Sequence, residues 1–214
     1  AAGASHSIAL QPGSQIVGWG NALAGETAAP PSFTNGIAIS AGSSTSLGLR
    51  TNGMVLTWGQ SSFGRSNVPP DLTNTVAVAA GGLHVLALTS DGFVKAWGDN
   101  RYGQTNVPVG LSGVVGMSAG QYHSLALKAD GTVAAWGAGT NYSGSANNYG
   151  QAAVPAGLSN VVEVAAGGSF SLALKSDGTM QAWGRNTYGQ TNIPSGLSNV
   201  VAIAAGFAHW LALS

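Results

Sequence analysis

The chain contains no cysteine, which excludes disulfide staples and thiolate metal ligands. Charge is nearly as scarce: Asp, Glu, Lys and Arg make up 7% of the 214 residues, against the ~25% of an ordinary soluble domain. Seven Lys+Arg balance seven Asp+Glu, so there is no basic stripe for nucleic acid and no polybasic or amphipathic membrane anchor. No apolar run approaches the ~20 residues of a membrane-spanning helix, and membrane insertion is not expected. No stretch carries a sustained helical period. Low charge does not imply disorder here, because 44% of the residues are apolar and regularly spaced. A surface of Ser, Thr, Asn, Gly and Ala with so few charges suits a secreted or cell-surface bacterial protein. The sequence begins without Met and inside a repeat, so a processed product or a piece of a longer polypeptide is expected.

What the chain does have is a repeat. A small-small-Gly opening followed by an apolar run recurs six times, with Gly3, Gly42, Gly81, Gly120, Gly167 and Gly206 separated by 39, 39, 39, 47 and 39 residues. Trp19, Trp58, Trp97, Trp136 and Trp183, each followed by Gly, keep the same beat. Such a period means one repeat architecture over 1–214, with units at about 1–39, 40–78, 79–117, 118–164, 165–203 and a partial 204–214.

Each unit divides into four pieces. A β-branched run such as 76–80 leads into Ala-Gly. A second run, HVLALT or HSLALK, sets Leu86 and Leu88 on one face and Ala87 on the other. Then come Asn52-Gly53, Asp91-Gly92, Asp130-Gly131 and Asp177-Gly178, hairpin signals that predict type I′ turns with φ > 0 at both central residues. A third run ends in Trp-Gly. A Gly-bearing turn then leads to a short edge strand stopped by Pro30, Pro69, Pro108, Pro155 and Pro194. The fourth unit carries eight extra residues within 138–149. Four short strands per unit predict an all-β fold, a β-propeller of ~39-residue four-stranded blades. The five tryptophans Trp19, Trp58, Trp97, Trp136 and Trp183 are expected to form inter-blade core.

These residues resemble the regulator of chromosome condensation repeat family, whose pattern runs Ala-Gly-x-x-His-Ser-Leu-Ala-Leu, Asp-Gly, then Trp-Gly-x-Asn-x-Tyr-Gly-Gln. The match is closest over 118–137 and 165–190. The compact format with Val-Pro after Tyr-Gly-Gln is similar to bacterial members, notably the β-lactamase inhibitory protein II type. Members typically close seven blades, whereas this chain holds five Trp-Gly units and six Ala-Gly units. Either a five-bladed ring closes on itself or the chain is an arc of a larger propeller. The arc is the expectation, and it leaves two end faces to be covered.

Chemistry has little support. His6, His84, His123 and His209 share one repeat position, filled by Thr45 and Phe170 in the other copies. A metal ring needs convergent ligands without gaps, so a side chain bonded within its own blade is expected. Asp91, Asp130 and Asp177 sit in hairpin turns a blade apart, too far for the ~5–9 Å pairing of glycosidase carboxylates. No serine lies in a G-x-S-x-G elbow, and no phosphate or dinucleotide motif is present. No enzyme activity, cofactor or metal is expected.

Positions that vary between copies are better candidates, because a repeat scaffold displays function there. The resemblance to inhibitor-type relatives implies that the two residues after Ala-Gly contact a partner protein. The large apolar residues matched there are Leu83, Tyr122 and Phe207, with Trp210 nearby, whereas Ser5, Ser44 and Ser169 lack the aromatic group. Tyr142 in the insertion is a further candidate. The expected function is therefore a non-catalytic protein–protein interaction module. The alternatives are a subunit that assembles with itself into a filament or surface layer, or an inhibitor or regulator of a specific enzyme.

Overall fold

The computed structural model describes residues 1–140 and 147–214, so candidate Tyr142 lies outside the described residues. Sixteen strands are assigned among the described residues. They form six antiparallel sheets in chain order. The first pairs β1 (His6–Leu10) with β2 (Ile16–Gly20). Four three-stranded sheets follow: β3 (Gly36–Ala41), β4 (Thr45–Arg50) and β5 (Val55–Gly59); β6 (Thr75–Ala80), β7 (His84–Thr89) and β8 (Val94–Gly98); β9 (Val114–Ala119), β10 (His123–Lys128) and β11 (Val133–Gly137); β12 (Val161–Ala166), β13 (Phe170–Lys175) and β14 (Met180–Gly184). The last pairs β15 (Ala202–Ala205) with β16 (Trp210–Leu213). The fold is that of an all-β propeller. Among the described residues the fourth piece of the units runs as turns and extended backbone outside the named strands, with a short 3-10 helix at Ser62–Gly64 in the second.

The alternation read in the sequence explains the stacking. Leu47, Leu49 and Val55 of one sheet meet Val85, Ala87 and Trp97 of the next. Leu86, Leu88 and Val94 in turn meet Val114, Ala126 and Trp136. Each sheet thus presents a leucine face forward and a face of small residues plus one tryptophan backward. The Ala-Gly tips of all six units line one shared cavity of about 350 Å³, which sets the blades around a common axis. Trp58, Trp97, Trp136 and Trp183 are 4–9% exposed, whereas Trp19 is 56% exposed. Trp19 therefore lies outside the inter-blade core expected for it, because among the described residues no sheet packs on the backward face of β1–β2.

The hairpin turns differ from the type I′ expectation. Gly53, Gly92, Gly131 and Gly178 take φ between 76° and 81°, and the preceding Asn52, Asp91, Asp130 and Asp177 are not among the positive-φ residues. Gly92 N–H donates to Thr89 O, and Thr89 N–H donates to Phe93 O. That is a three-residue loop, a type I turn closed by a left-handed glycine. The aspartate serves the loop: Asp130 accepts the Thr132 N–H and hydroxyl, and with Lys128 these bonds hold its carboxyl far below the usual range.

Candidate functional site

Antiparallel pairing of His123 with Gly137 brings the Ala-Gly-x-x loop and the Trp-Gly segment of one unit to the same end of the blade. The Asp-Gly turns occupy the other end. In the first four units the Trp-Gly end is tied to the next blade through one backbone carbonyl, that of Glu26, Arg65, Gln104 or Gln151. Gln104 O accepts the Trp136 indole N–H at 2.9 Å and the Ser124 hydroxyl at 2.9 Å, both from the next blade. Gln151 O does the same for Trp183 and Ser171, and Glu26 O for Trp58 and Ser46. The Gln104 side-chain oxygen turns back to accept the Tyr102 N–H at 2.9 Å. Gln151 and Gln190 hold Tyr149 and Tyr188 in the same way. Buried glutamines therefore fix the backbone at Tyr102 and Tyr188, which are exposed, and at Tyr149, which is half-buried.

The histidines bond across blades, which corrects the expectation of a bond within one blade. Nε2 of His6, His84 and His123 lies 2.8–2.9 Å from the hydroxyl of Ser46, Ser124 and Ser171 in the following unit. Each serine hydroxyl already donates to a carbonyl, so the proton between the pair must come from His Nε2–H. Nδ1 of each ring is buried without a hydrogen-bond partner among the described residues, and burial favours the neutral ring. Burial pushes His84 down to about 4 against the opposing pull of Asp99; burial and the neighbouring His84 push His123 to about 3. His209, which has no such serine partner, is exposed. Among the described residues no three His, Cys, Asp or Glu side chains converge as a metal site would require.

On this platform stands a band of aromatic and guanidinium groups. Arg101 stacks on Phe63 of the preceding unit, 4.8 Å from the ring centre. Its Nε and Nη2 fork the Asp99 carboxylate at 2.9–3.1 Å. Burial opposes ionisation of Asp99, but the bonds from Arg101 and Gln104 outweigh it and hold the carboxyl below its usual range. Tyr102 and Tyr122 pack at 5.0 Å between ring centres, and Gln121 donates to the Tyr122 hydroxyl. Asn147 donates to the Tyr102 hydroxyl at 2.9 Å, which carries the band into the next unit. From the fifth unit, Arg185 lies over Tyr149 of the fourth at 5.0 Å and over Tyr188 of its own at 5.4 Å.

Of the sequence candidates, Tyr122 lies in this band, Leu83 lies half-buried in the equivalent loop, and Phe207 stands exposed at the axis cavity. Trp210 does not join them: it is half-buried against the core between β13 and β15–β16. Phe63, Arg101, Tyr102, Tyr149, Arg185 and Tyr188 were not singled out from the sequence. Their signal was present, since Phe63, Tyr102, Tyr149 and Tyr188 hold one repeat position, immediately before the Gly that precedes Arg65, Gln104, Gln151 and Gln190.

The regulator of chromosome condensation (RCC1) repeat matches residues 37–65, 76–104, 114–151 and 161–190. A sequence search of curated proteins gives no significant match. Among solved structures, Prp20p of Saccharomyces cerevisiae superposes with a TM-score of 0.82 at 22% identity over 100% of this chain and 68% of that one. Human WBSCR16 superposes with a TM-score of 0.78 at 20% identity, covering 98% of this chain and 70% of that one. The ectodomain of the Physcomitrella patens receptor kinase CR4 gives 0.72 at 22% identity, covering 94% and 54%. These likenesses establish the fold, and the repeat matches span more than half of the sequence: the chain belongs to the regulator of chromosome condensation (RCC1) repeat family.

Proposed function

We propose that the chain is a non-catalytic module that binds a partner protein on its Trp-Gly rim. The observation that carries this reading is a pair of aromatic–guanidinium clusters on that rim, Phe63–Arg101 with Tyr102–Tyr122, which Asn147 reaches from the fourth unit, and Tyr149–Arg185–Tyr188. Tyrosine and arginine are among the residue types enriched in protein-binding hot spots, and buried glutamines fix the backbone at Tyr102, Tyr149 and Tyr188 before any partner arrives. The yeast neighbour Prp20 has been studied for binding to Gsp1p and histones and solved bound to Kap60, which supports a protein partner as the general class. Selection from a displayed random-peptide library tests the reading. Enriched peptides should lose binding to a Y102A/Y122A variant and retain it for a K128Q/K175Q variant at the opposite end. Failure to enrich, or loss on the opposite-end variant alone, contradicts it.

A second reading, self-association, rests on the end sheets. Trp19 is 56% exposed on the first, and Leu211 and Leu213 are 67% and 64% exposed on the last. These are the backward and forward faces of the same repeated junction. Light-scattering mass over a hundredfold concentration range separates the two readings: growth in mass supports self-association, and a constant 21.2 kDa removes it.

A further inference from the structure

The few charges of this chain are divided unevenly between its two ends. At the Asp-Gly end, Lys95 pairs with Asp71, Lys128 with Asp130 and Lys175 with Asp177, and Arg50 and Asp91 flank the same turns. These four cations and four anions balance, and Glu163, on β12, accepts the Ile203 N–H of the last sheet. At the Trp-Gly end the acids are Asp99 and Glu26, and both are withdrawn from solvent. The Asp99 side chain is 4% exposed while that of its partner Arg101 is 60% exposed, and Glu26 is fully buried. Arg65 is buried as well, its guanidinium used on Gly82 O, Ser62 O, Ser62 Oγ and Gln60 Oε1. The side-chain charge presented to a partner on this rim is therefore the guanidinium groups of Arg101 and Arg185.

The two differ in how they are satisfied. Arg101 is forked by Asp99. Arg185 donates from Nε to the Thr187 hydroxyl at 3.1 Å, and its two Nη groups have no partner among the described residues. No acidic side chain lies within ion-pair distance of it, and the undescribed residues 141–146 include no Asp or Glu. Tyr149 and Tyr188 lie against its guanidinium. Stacking limits the orientations of the guanidinium plane and leaves its edge N–H groups for an in-plane acceptor, the geometry of a bidentate carboxylate.

We propose that Arg185, held by Tyr149 and Tyr188, grips a carboxylate of an acidic segment in the partner protein, with apolar side chains of that segment resting on Tyr102 and Tyr122. The proposal rests on the rim-binding reading above and names its partner chemistry. A nucleic-acid strand fits less well, because affinity for phosphate grows with the number of cations tracking the backbone, and this rim presents two.

The test uses peptides selected on the whole chain, with binding followed by fluorescence anisotropy. Enriched sequences should contain Asp or Glu beside an aromatic or aliphatic residue. An R185Q variant should bind such a peptide about tenfold or more weakly, R185K should recover part of the loss, and raising the salt from 50 to 500 mM should weaken the wild type more than R185Q. Unfolding midpoints of the variants, equal to that of the wild type, show that the loss is not one of fold. Neutral or basic selected peptides, or an R185Q affinity equal to wild type, overturn the acidic-segment proposal while Y102A/Y122A sensitivity leaves rim binding standing. Absence of any rim-dependent peptide overturns the rim reading itself. A labelled oligonucleotide that binds more tightly than the peptide, with the same R185Q loss, overturns the choice of a protein carboxylate.

Discussion

At the scale of the residue, the His–Ser pair makes stability depend on pH in a defined direction. Folded His84 and His123 resist protonation down to about 4 and 3, while in the unfolded chain they take a proton below ~6.5. The contribution is complete above the unfolded value and is lost as pH falls from there toward the folded values. At pH 5 the loss is about 2 kcal/mol for each imidazole, before most carboxylates protonate. Urea unfolding at pH 7.5 and pH 5 should show the fall, and an H84T/H123T variant should flatten it. The repeats also supply the control substitutions, because Thr45 and Val85 hold the repeat positions that His84 and Ser124 hold one unit later. H84T and S124V should each cost ~1–2 kcal/mol, and the double variant should cost less than their sum by about 1 kcal/mol. The pairing was legible in the sequence. Every His with a Ser in the next unit sits 40 or 48 residues before it, and where the His is replaced by Thr45 or Phe170 the next unit carries Val85 or Trp210. The direction of the bond was not legible, since the sequence does not say whether a side chain at a strand start faces its own blade or the next.

A sheet in this chain is stable because its leucine face and its Trp-Ala face are both covered, so the cost of losing a tryptophan depends on its neighbour. W97A removes a ring packed against Leu47 and Leu49 and an indole N–H bonded to Arg65 O, and should cost ~3–5 kcal/mol. W19A removes an exposed ring and should cost less than ~1 kcal/mol. Equal effects in thermal unfolding would contradict the covered-face account. One unit shows how volume is shared across the junction. Phe33 takes the place of Leu72, Leu111, Leu158 and Leu197, and Gly48 takes the place of Ala87, Ala126 and Ala173. A Cβ on Gly48 would lie 2.2 Å from the Phe33 ring, so G48A should cost ~1–3 kcal/mol by overpacking, and F33L/G48A should recover most of it. The repeat pattern made strands, faces and turns readable. It misled at the Asp-Gly loops, where the dipeptide suggests a two-residue turn but the extra residue before it, Ser90 in Thr89–Phe93, makes a three-residue one.

For the whole molecule, the same rigid repetition separates support from display. The Asp-Gly end pairs its lysines with neighbouring aspartates, and the Trp-Gly end anchors the backbone of its tyrosines through buried glutamines. Tyr122 could be picked out from the sequence because the Ala-Gly-x-x loop varies between copies. The rest of the band could not, because Arg101 meets Phe63 and Arg185 meets Tyr149 only after blades have stacked. The central claim is that this rim is the docking face. Hydrogen exchange of the chain with and without a selected peptide tests it most directly. The account predicts protection at 62–64, 100–103, 121–123 and 186–189, with unchanged exchange at 90–93 and 129–132. Protection confined to the Asp-Gly turns, or to the outer strands of the first and last sheets, would contradict it.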